Sequence, residues 1–225
     1  MVSAIIPALN EASTIGEVIS VVLGHPDISE VIVVDDGSTD GTADIARKAG
    51  AIVIVNNTNL GKAMAMDRGV RAARSEIILF LDADVLGYTH EALSYIIDPV
   101  KRGEYEMFVG IRSRKTLWLN RILHFFPIIS GERVITKDLW LSLPADYMRG
   151  FMIETVLNYA AKKTPKGMGF RLTTGTRHII KEKKYGILKG LVARLRMIWQ
   201  VSVVSFQLYI IGGIAEAFQG LRRKS

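Results

Sequence analysis

Glu76-Ile77-Ile78-Leu79-Phe80-Leu81-Asp82-Ala83-Asp84 is an apolar run of strand length that ends in two carboxylates. In an extended chain, residues i and i+2 point the same way, so Asp82 and Asp84 are expected to converge on one spot. Two hard oxygen ligands at the carboxyl end of a strand suit Mg²⁺ or Mn²⁺ shared with phosphates. A lone Asp-x-Asp is more often a solvated turn, so the sequence around it has to decide.

Working outward, the first half alternates between two periodicities. Ser3–Ala8 reads as a strand, and Ile15, Val18, Ile19, Val22 and Leu23 form a helical stripe. Glu30–Val34 is a β-branched strand ending at Asp35-Asp36. Gly41–Ala49 reads as a helix, with Ser38 or Thr39 as N-cap and Gly50 as its stop. Ala51–Val55 is a strand, Lys62–Arg74 a helix, and Glu76–Leu81 the strand of the opening stretch. Strands alternating with helices predict an α/β fold, a mostly parallel sheet flanked by helices on both faces. In such sheets ligands collect beyond the carboxyl ends of the strands, where the acidic and glycine-bearing segments fall.

The second half is less regular. His90–Arg102 looks helical, Tyr105–Gly110 extended, Trp118 to Phe126 amphipathic, Gly150–Lys162 helical and Gly169–Thr174 extended. Trp199–Phe218 is apolar but interrupted by Gln200, Ser202, Ser205, Gln207 and Glu216, too polar for a spanning helix. We read it as an amphipathic helix that lies on a membrane or packs against another subunit, beside the basic tail Arg222-Arg223-Lys224.

The chain has 225 residues, enough for one domain with a large core. It has no cysteine, which excludes disulfides and thiolate metal sites. Met1-Val2-Ser3-Ala4-Ile5-Ile6-Pro7 reads as a strand rather than a signal peptide. A net charge of +7 favours anionic partners. No nucleic-acid motif accompanies it, so nucleic acid is not an expected partner.

Four segments follow consecutive strands: Pro7-Ala8-Leu9-Asn10-Glu11, Asp35-Asp36-Gly37-Ser38-Thr39-Asp40-Gly41-Thr42, Asn59-Leu60-Gly61-Lys62, and Asp82-Ala83-Asp84. As an ordered set over roughly residues 3–110, they make the chain resemble the family 2 glycosyltransferases, nucleotide-sugar enzymes of the GT-A fold. The resemblance implies that Asp36 meets the base, with Glu11 or Asn10 at the ribose or base and Asp82 nearer the ribose. Pro7, Ala8 and Ala83 would line the same pocket. An ionised carboxylate only accepts hydrogen bonds, which suits base N–H and ribose hydroxyl partners. Gly61 permits close backbone approach and Lys62 offers a cation for a phosphate. For Asp35, Ser38 and Asp40, turn and cap chemistry is the preferred reading. By the family pattern Asp84 holds the Mg²⁺ or Mn²⁺ that offsets charge building on the leaving pyrophosphate.

On the acceptor side, Ser130-Gly131-Glu132-Arg133-Val134-Ile135 resembles the family's glycine-rich segment ending in Arg near the acceptor. Gly150-Phe151-Met152-Ile153-Glu154 resembles its Gly-aromatic-x-x-Glu element, which makes Glu154 a hydroxyl ligand or general base, or else a first-turn acid facing the helix dipole. His178 stands where some relatives supply a third metal ligand.

These residues imply a donor that is a nucleoside diphosphate sugar, UDP-linked, and a phosphate-bearing acceptor such as polyprenyl phosphate. The same layout resembles the soluble glucosyl-3-phosphoglycerate synthases. Inversion is the family default, whereas those enzymes are usually retaining. The implied setting is the cytoplasm, at the inner face of the cell membrane if the C-terminal helix binds lipid, or within a homodimer if it binds another copy. Residues 1–184 are expected to form the catalytic domain, with a nucleotide half near 1–110 and an acceptor half near 111–184; 185–225 form a helical extension. A sugar nucleotidyltransferase would want a glycine-rich basic loop after the first strand, where this chain has Pro7-Ala8-Leu9-Asn10-Glu11. A non-catalytic, membrane-binding nucleotide module would not need Asp82, Asp84 and Glu154 together.

Overall fold

The alternation read from the sequence is realised as a seven-stranded sheet with helices on both faces. The computed structural model describes residues 1–111, 130–144, 152–173, 177–178 and 203. In chain order the elements are β1 (Val2–Ala8), α1 (Ile15–Leu23), β2 (Ile28–Asp35), α2 (Thr42–Lys48), β3 (Ile52–Val55), α3 (Lys62–Ala72), β4 (Ile77–Phe80), β5 (Val85–Leu86) and α4 (His90–Lys101). After them come β6 (Met107–Ile111), β7 (Arg133–Thr136), α5 (Lys137–Leu141), α6 (Met152–Lys163), β8 (Met168–Leu172) and β9 (Arg177–His178).

The sheet runs β3-β2-β1-β4-β7-β6-β8, with β5 and β9 forming a separate pair. All neighbours are parallel except around β7, which is antiparallel to both β4 and β6. The register aligns Ala8 with Asp35, Asp35 with Val55, and Phe80 with Arg133. The carboxyl ends of β2, β1, β3 and β4 and the amino end of β7 therefore share one edge.

Side-chain alternation divides the core between the two faces. On one face Ile5, Val34, Phe80, Val109 and Ile135 pack with Met66 and Val70 of α3 and with Ile153 and Leu157 of α6. On the other, Ala4, Ile6, Val33, Leu79 and Val134 meet the α1 stripe Ile15, Val18, Ile19 and Val22, and Leu93, Ile96 and Ile97 of α4. Trp140 of α5, fully buried, gives its indole N–H to Asp67 Oδ1 at 3.0 Å, so its one polar atom stays satisfied.

Two local expectations change, and one strand is new. Helix α2 starts at Thr42 behind a left-handed Gly41 (φ 84°) with no side-chain cap bond, so neither Ser38 nor Thr39 caps it. Strand β4 stops at Phe80, and Ala83-Asp84 forms a turn, so the acids do not meet by the alternation of an extended chain. Residues 133–136, to which the sequence assigned no element, form an interior strand. The helix expected over Trp118 to Phe126, the C-terminal amphipathic helix and the division at 184/185 lie outside the described residues, Val203 apart. Among the described residues no helix is long and apolar enough to cross a membrane.

Candidate functional site

An open cleft of about 460 Å³ lies over the shared edge, lined by Pro7, Ala8, Leu9, Glu11, Asp36, Asn59, Gly61, Lys62, Ala65, Asp82, Ala83 and Asp84. Its size and mixed lining fall within the range of small-ligand sites. Nine of these residues are ones that the sequence nominated for the donor side. Asn59, Leu9 and Ala65 were not nominated as ligands. Asn59 had a signal, because it opens the glycine-lysine segment after β3.

The first two loops hold each other. Asn10 sits in the left-handed region (φ 56°), its side-chain oxygen accepts from Thr39 N at 2.9 Å, and its own N–H donates to Ser38 Oγ. It joins loops here and is not among the cleft-lining residues. Asp35 Oδ1 accepts from Ser38 N at 2.8 Å, and Asp40 accepts from Ala12 N, Thr42 N and Thr42 Oγ1. This is the turn chemistry expected of Asp35, Ser38 and Asp40.

Asp36, 4% exposed, organises the third loop. Its Oδ1 accepts from Asn56 Nδ2 at 2.6 Å and Leu60 N at 2.9 Å, and its Oδ2 accepts from Gly61 N at 2.8 Å. Asn56 in turn accepts from Arg68 of α3. Sequence reasoning missed Asn56, which reads as one of several turn asparagines. Gly61 has φ 92°, and a Cβ at this position would meet nothing within 4 Å, so it is conformation and not crowding that demands glycine there.

The fourth loop and β7 meet at Asp82. A Cβ on Gly131 would lie 2.1 Å from both Asp82 carboxylate oxygens, so glycine lets the segment before β7 pass against them. Lys62, at the first turn of α3, reaches Asp82 Oδ1 at 2.9 Å and Glu154 Oε1 at 3.3 Å. Partial burial opposes its charge, but the two carboxylates outweigh this and hold the ammonium above its ordinary pKa.

Arg133 is fully buried. Its Nε and Nη2 donate to Ser130 O at 3.1 and 2.6 Å, and Nη2 lies 4.0 Å from Glu154 Oε2. Burial pulls its pKa down, against the pull of Glu154 and Asp82. Lys62 and Arg133 thus alternate with Asp82 and Glu154, and of these four Lys62 and Asp82 line the cleft.

Asp84 lines the cleft, half-buried, one residue before β5. The β5–β9 pair puts the backbone of His178 opposite Val85. Among the described residues, no group of three His, Cys, Asp or Glu is gathered to hold a metal. Two carboxylates on one cleft do fit a hard Mg²⁺ or Mn²⁺ ion whose remaining ligands come from a phosphate and water, which is how Mg²⁺ usually binds.

The glycosyl transferase family 2 model matches residues 3–144. Glycosyltransferase AglJ of Haloferax volcanii is 34% identical over 173 residues, 66% of this chain and 54% of that protein. Glucosyl-3-phosphoglycerate synthase of Mycolicibacterium paratuberculosis is 34% identical over 112 residues, 46% of this chain and 34% of that protein. The chain therefore spans only about a third to a half of the length of such curated relatives. Among solved structures, glucosyl-3-phosphoglycerate synthase of Mycobacterium tuberculosis in complex with Mn²⁺, UDP-glucose and phosphoglyceric acid superposes with a TM-score of 0.75 at 23% identity, over 91% of this chain and 79% of that one. The same enzyme with Mg²⁺ and UDP gives the same score at 24% identity, over 92% and 78%. These structures share the GT-A fold. Because the family model covers the four cleft loops and β7 in one span, the chain belongs to glycosyl transferase family 2.

Proposed function

We propose that this chain is a metal-dependent glycosyltransferase that moves a sugar from a UDP-linked donor to a phosphate-bearing acceptor. The observation that carries the reading is the convergence of four strand-end loops on one cleft that presents Asp36, Lys62, Asp82 and Asp84. The Mycobacterium tuberculosis complexes support it, because that fold holds UDP-glucose, Mn²⁺ and phosphoglyceric acid together.

In this reading Asp36 accepts from the base while keeping the Asn56–Gly61 loop in place, and Glu11 meets the ribose or base. Asp84, with Asp82 beside it and His178 as third ligand, would hold Mg²⁺ or Mn²⁺. Bound there, the ion supplies electrostatic stabilisation of the departing diphosphate. During transfer the bond from the anomeric carbon to the β-phosphate oxygen breaks, a bond from that carbon to an acceptor oxygen forms, and Lys62 offers a second positive charge to the leaving group.

A sugar-hydroxyl acceptor needs a base to take its proton, and Glu154 is the candidate. A phosphate acceptor, with a second pKa near ~6, is already nucleophilic and needs only positioning. Glu154 has Lys62 on one oxygen and Arg133 near the other. With both oxygens facing cations, Glu154 is placed to accept from a hydroxyl, and an acceptor that brings its own nucleophilic phosphate oxygen is favoured. Arg133, buried against Ser130 O, supports that acceptor by shaping the loop before β7.

Polyprenyl phosphate is the preferred acceptor because of the apolar C-terminal segment, with the protein peripheral to the cytoplasmic face of a membrane or in a homodimer. The specific rival is 3-phosphoglycerate, favoured by the named relatives. A panel of nucleotide sugars assayed with Mn²⁺ against polyprenyl phosphate and 3-phosphoglycerate tests both. Transfer from a UDP-sugar to either acceptor supports the reaction class. The acceptor used decides between the two, and no transfer or donor hydrolysis with any sugar counts against both.

A further inference from the structure

Among the described residues lining the cleft, Lys62 is the one cation against Glu11, Asp36, Asp82 and Asp84. Its ammonium touches Asp82 Oδ1 at 2.9 Å on the nucleotide side and Glu154 Oε1 at 3.3 Å on the acceptor side. The two carboxylates come from distant parts of the chain, one after β4 and one in the first turn of α6. The carboxylate of Asp82 occupies the space that a side chain on Gly131 would fill. Glu154 is 5% exposed and stands beside the fully buried Arg133, so it is held. Lys62 is the mobile member: about a third of its side-chain surface is accessible, and its stem is long and flexible.

We infer that Lys62 is the cleft's resident counter-ion, which keeps a divalent cation off Asp82 and Asp84 until a nucleoside diphosphate brings its own negative charge. This rests on the reading of the cleft as a metal-assisted nucleotide site. The physics is pairwise. A cation approaching Asp82 meets an ammonium already on that carboxylate, and the repulsion in a partly desolvated cleft is large. A diphosphate reverses the balance, because it offers the ammonium another anion and supplies oxygen ligands to the metal. Metal and nucleotide then bind each other's site cooperatively, and the coupling runs through Lys62. A residue that only bound phosphate would leave the metal affinity of the nucleotide-free protein unchanged.

The test is Mn²⁺ binding without nucleotide, followed by the electron paramagnetic resonance signal of free Mn²⁺, for wild type, Lys62→Met, Lys62→Gln and Lys62→Arg. Lys62→Met and Lys62→Gln are expected to bind Mn²⁺ about tenfold or more tightly than wild type. Lys62→Arg, which keeps the charge, stays as weak as wild type. Lys62→Gln keeps donors to both carboxylates, so it carries the test if Lys62→Met does not fold. Nucleotide-free Mn²⁺ affinity that is unchanged or weaker in the folded neutral variants overturns the inference. A separate titration of wild type with UDP in Mn²⁺ guards the underlying reading: if UDP does not bind there, it is the nucleotide site that fails, whatever Lys62 does.

Discussion

Gly131 sets how closely the segment before β7 passes Asp82. A methyl group there would fall 2.1 Å from both carboxylate oxygens, and Asp82 is already tied to Lys62. Gly131→Ala is therefore expected to push Asp82 from the ammonium and cost about 1–3 kcal/mol of stability. Urea unfolding should show the lower midpoint, and the UDP affinity of the folded variant should fall with it. Wild-type values on both measures would mean that the segment yields and that Asp82 is not fixed by it. The sequence showed Gly131 as part of a glycine-bearing segment. It could not show which carboxylate the glycine makes room for, because that contact depends on β4 and β7 being neighbours in the sheet.

Among the elements, the loop from Asn56 to Gly61 depends on one side chain. Asp36→Ala removes the acceptor for Asn56 Nδ2, Leu60 N and Gly61 N, at a cost of about 1–3 kcal/mol once water replaces part of it. The expected signature is local: faster amide exchange at Leu60 and Gly61, with β1 and β4 unchanged, and weaker nucleotide binding. Unchanged exchange at those two amides would contradict the anchoring role.

The turn from α1 to β2 carries a pH dependence. His25 accepts from Asp27 N through Nδ1 at 3.2 Å, and its Nε2 pairs with Ser94 Oγ at 2.9 Å, so the folded ring is neutral. Burial lowers its pKa, with His90 acting in the same direction and the Asp27 carboxylate against it. The unfolded ring protonates near 6.5 and the folded ring resists, so this contribution is complete above that value and drains away as pH falls through it. His25→Asn should flatten the fall in thermal stability below pH 6.5. A fall as steep as that of wild type would assign the acid sensitivity elsewhere.

The elements also explain what could be read in advance. β1, β2 and α1 announce themselves by largely apolar strand-length runs and an apolar helical stripe, because their burial is written in their own composition. β7 does not. It is four residues long, opens with an arginine and follows Ser130-Gly131-Glu132, so no strand pattern marks it. Arg133 is at home in the core only because Ser130 O and Glu154 reach it, and such partners are not visible in a local window. The two-residue β5 and β9 are too short to have a period.

At the scale of the molecule, the two halves of the chain meet over the β4–β7 junction. The cleft-lining loops follow β1 to β4, while Glu154 and Arg133 come from the half the sequence described less clearly. The cleft was legible because each of its loops ends a recognisable strand. The link between the halves, Lys62 to Glu154 across 92 positions, was not, because it exists only once α3 and α6 share a face of the sheet.

The central claim is that this cleft binds a nucleoside diphosphate through a divalent cation held at Asp84. Calorimetric titration of UDP in Mn²⁺ and then in EDTA, for wild type and Asp84→Ala, tests it most directly. The account predicts binding to wild type in Mn²⁺ that disappears in EDTA, and none to Asp84→Ala although its thermal unfolding matches wild type. Equal UDP affinity with and without the metal, or undiminished metal-dependent binding in Asp84→Ala, would contradict it.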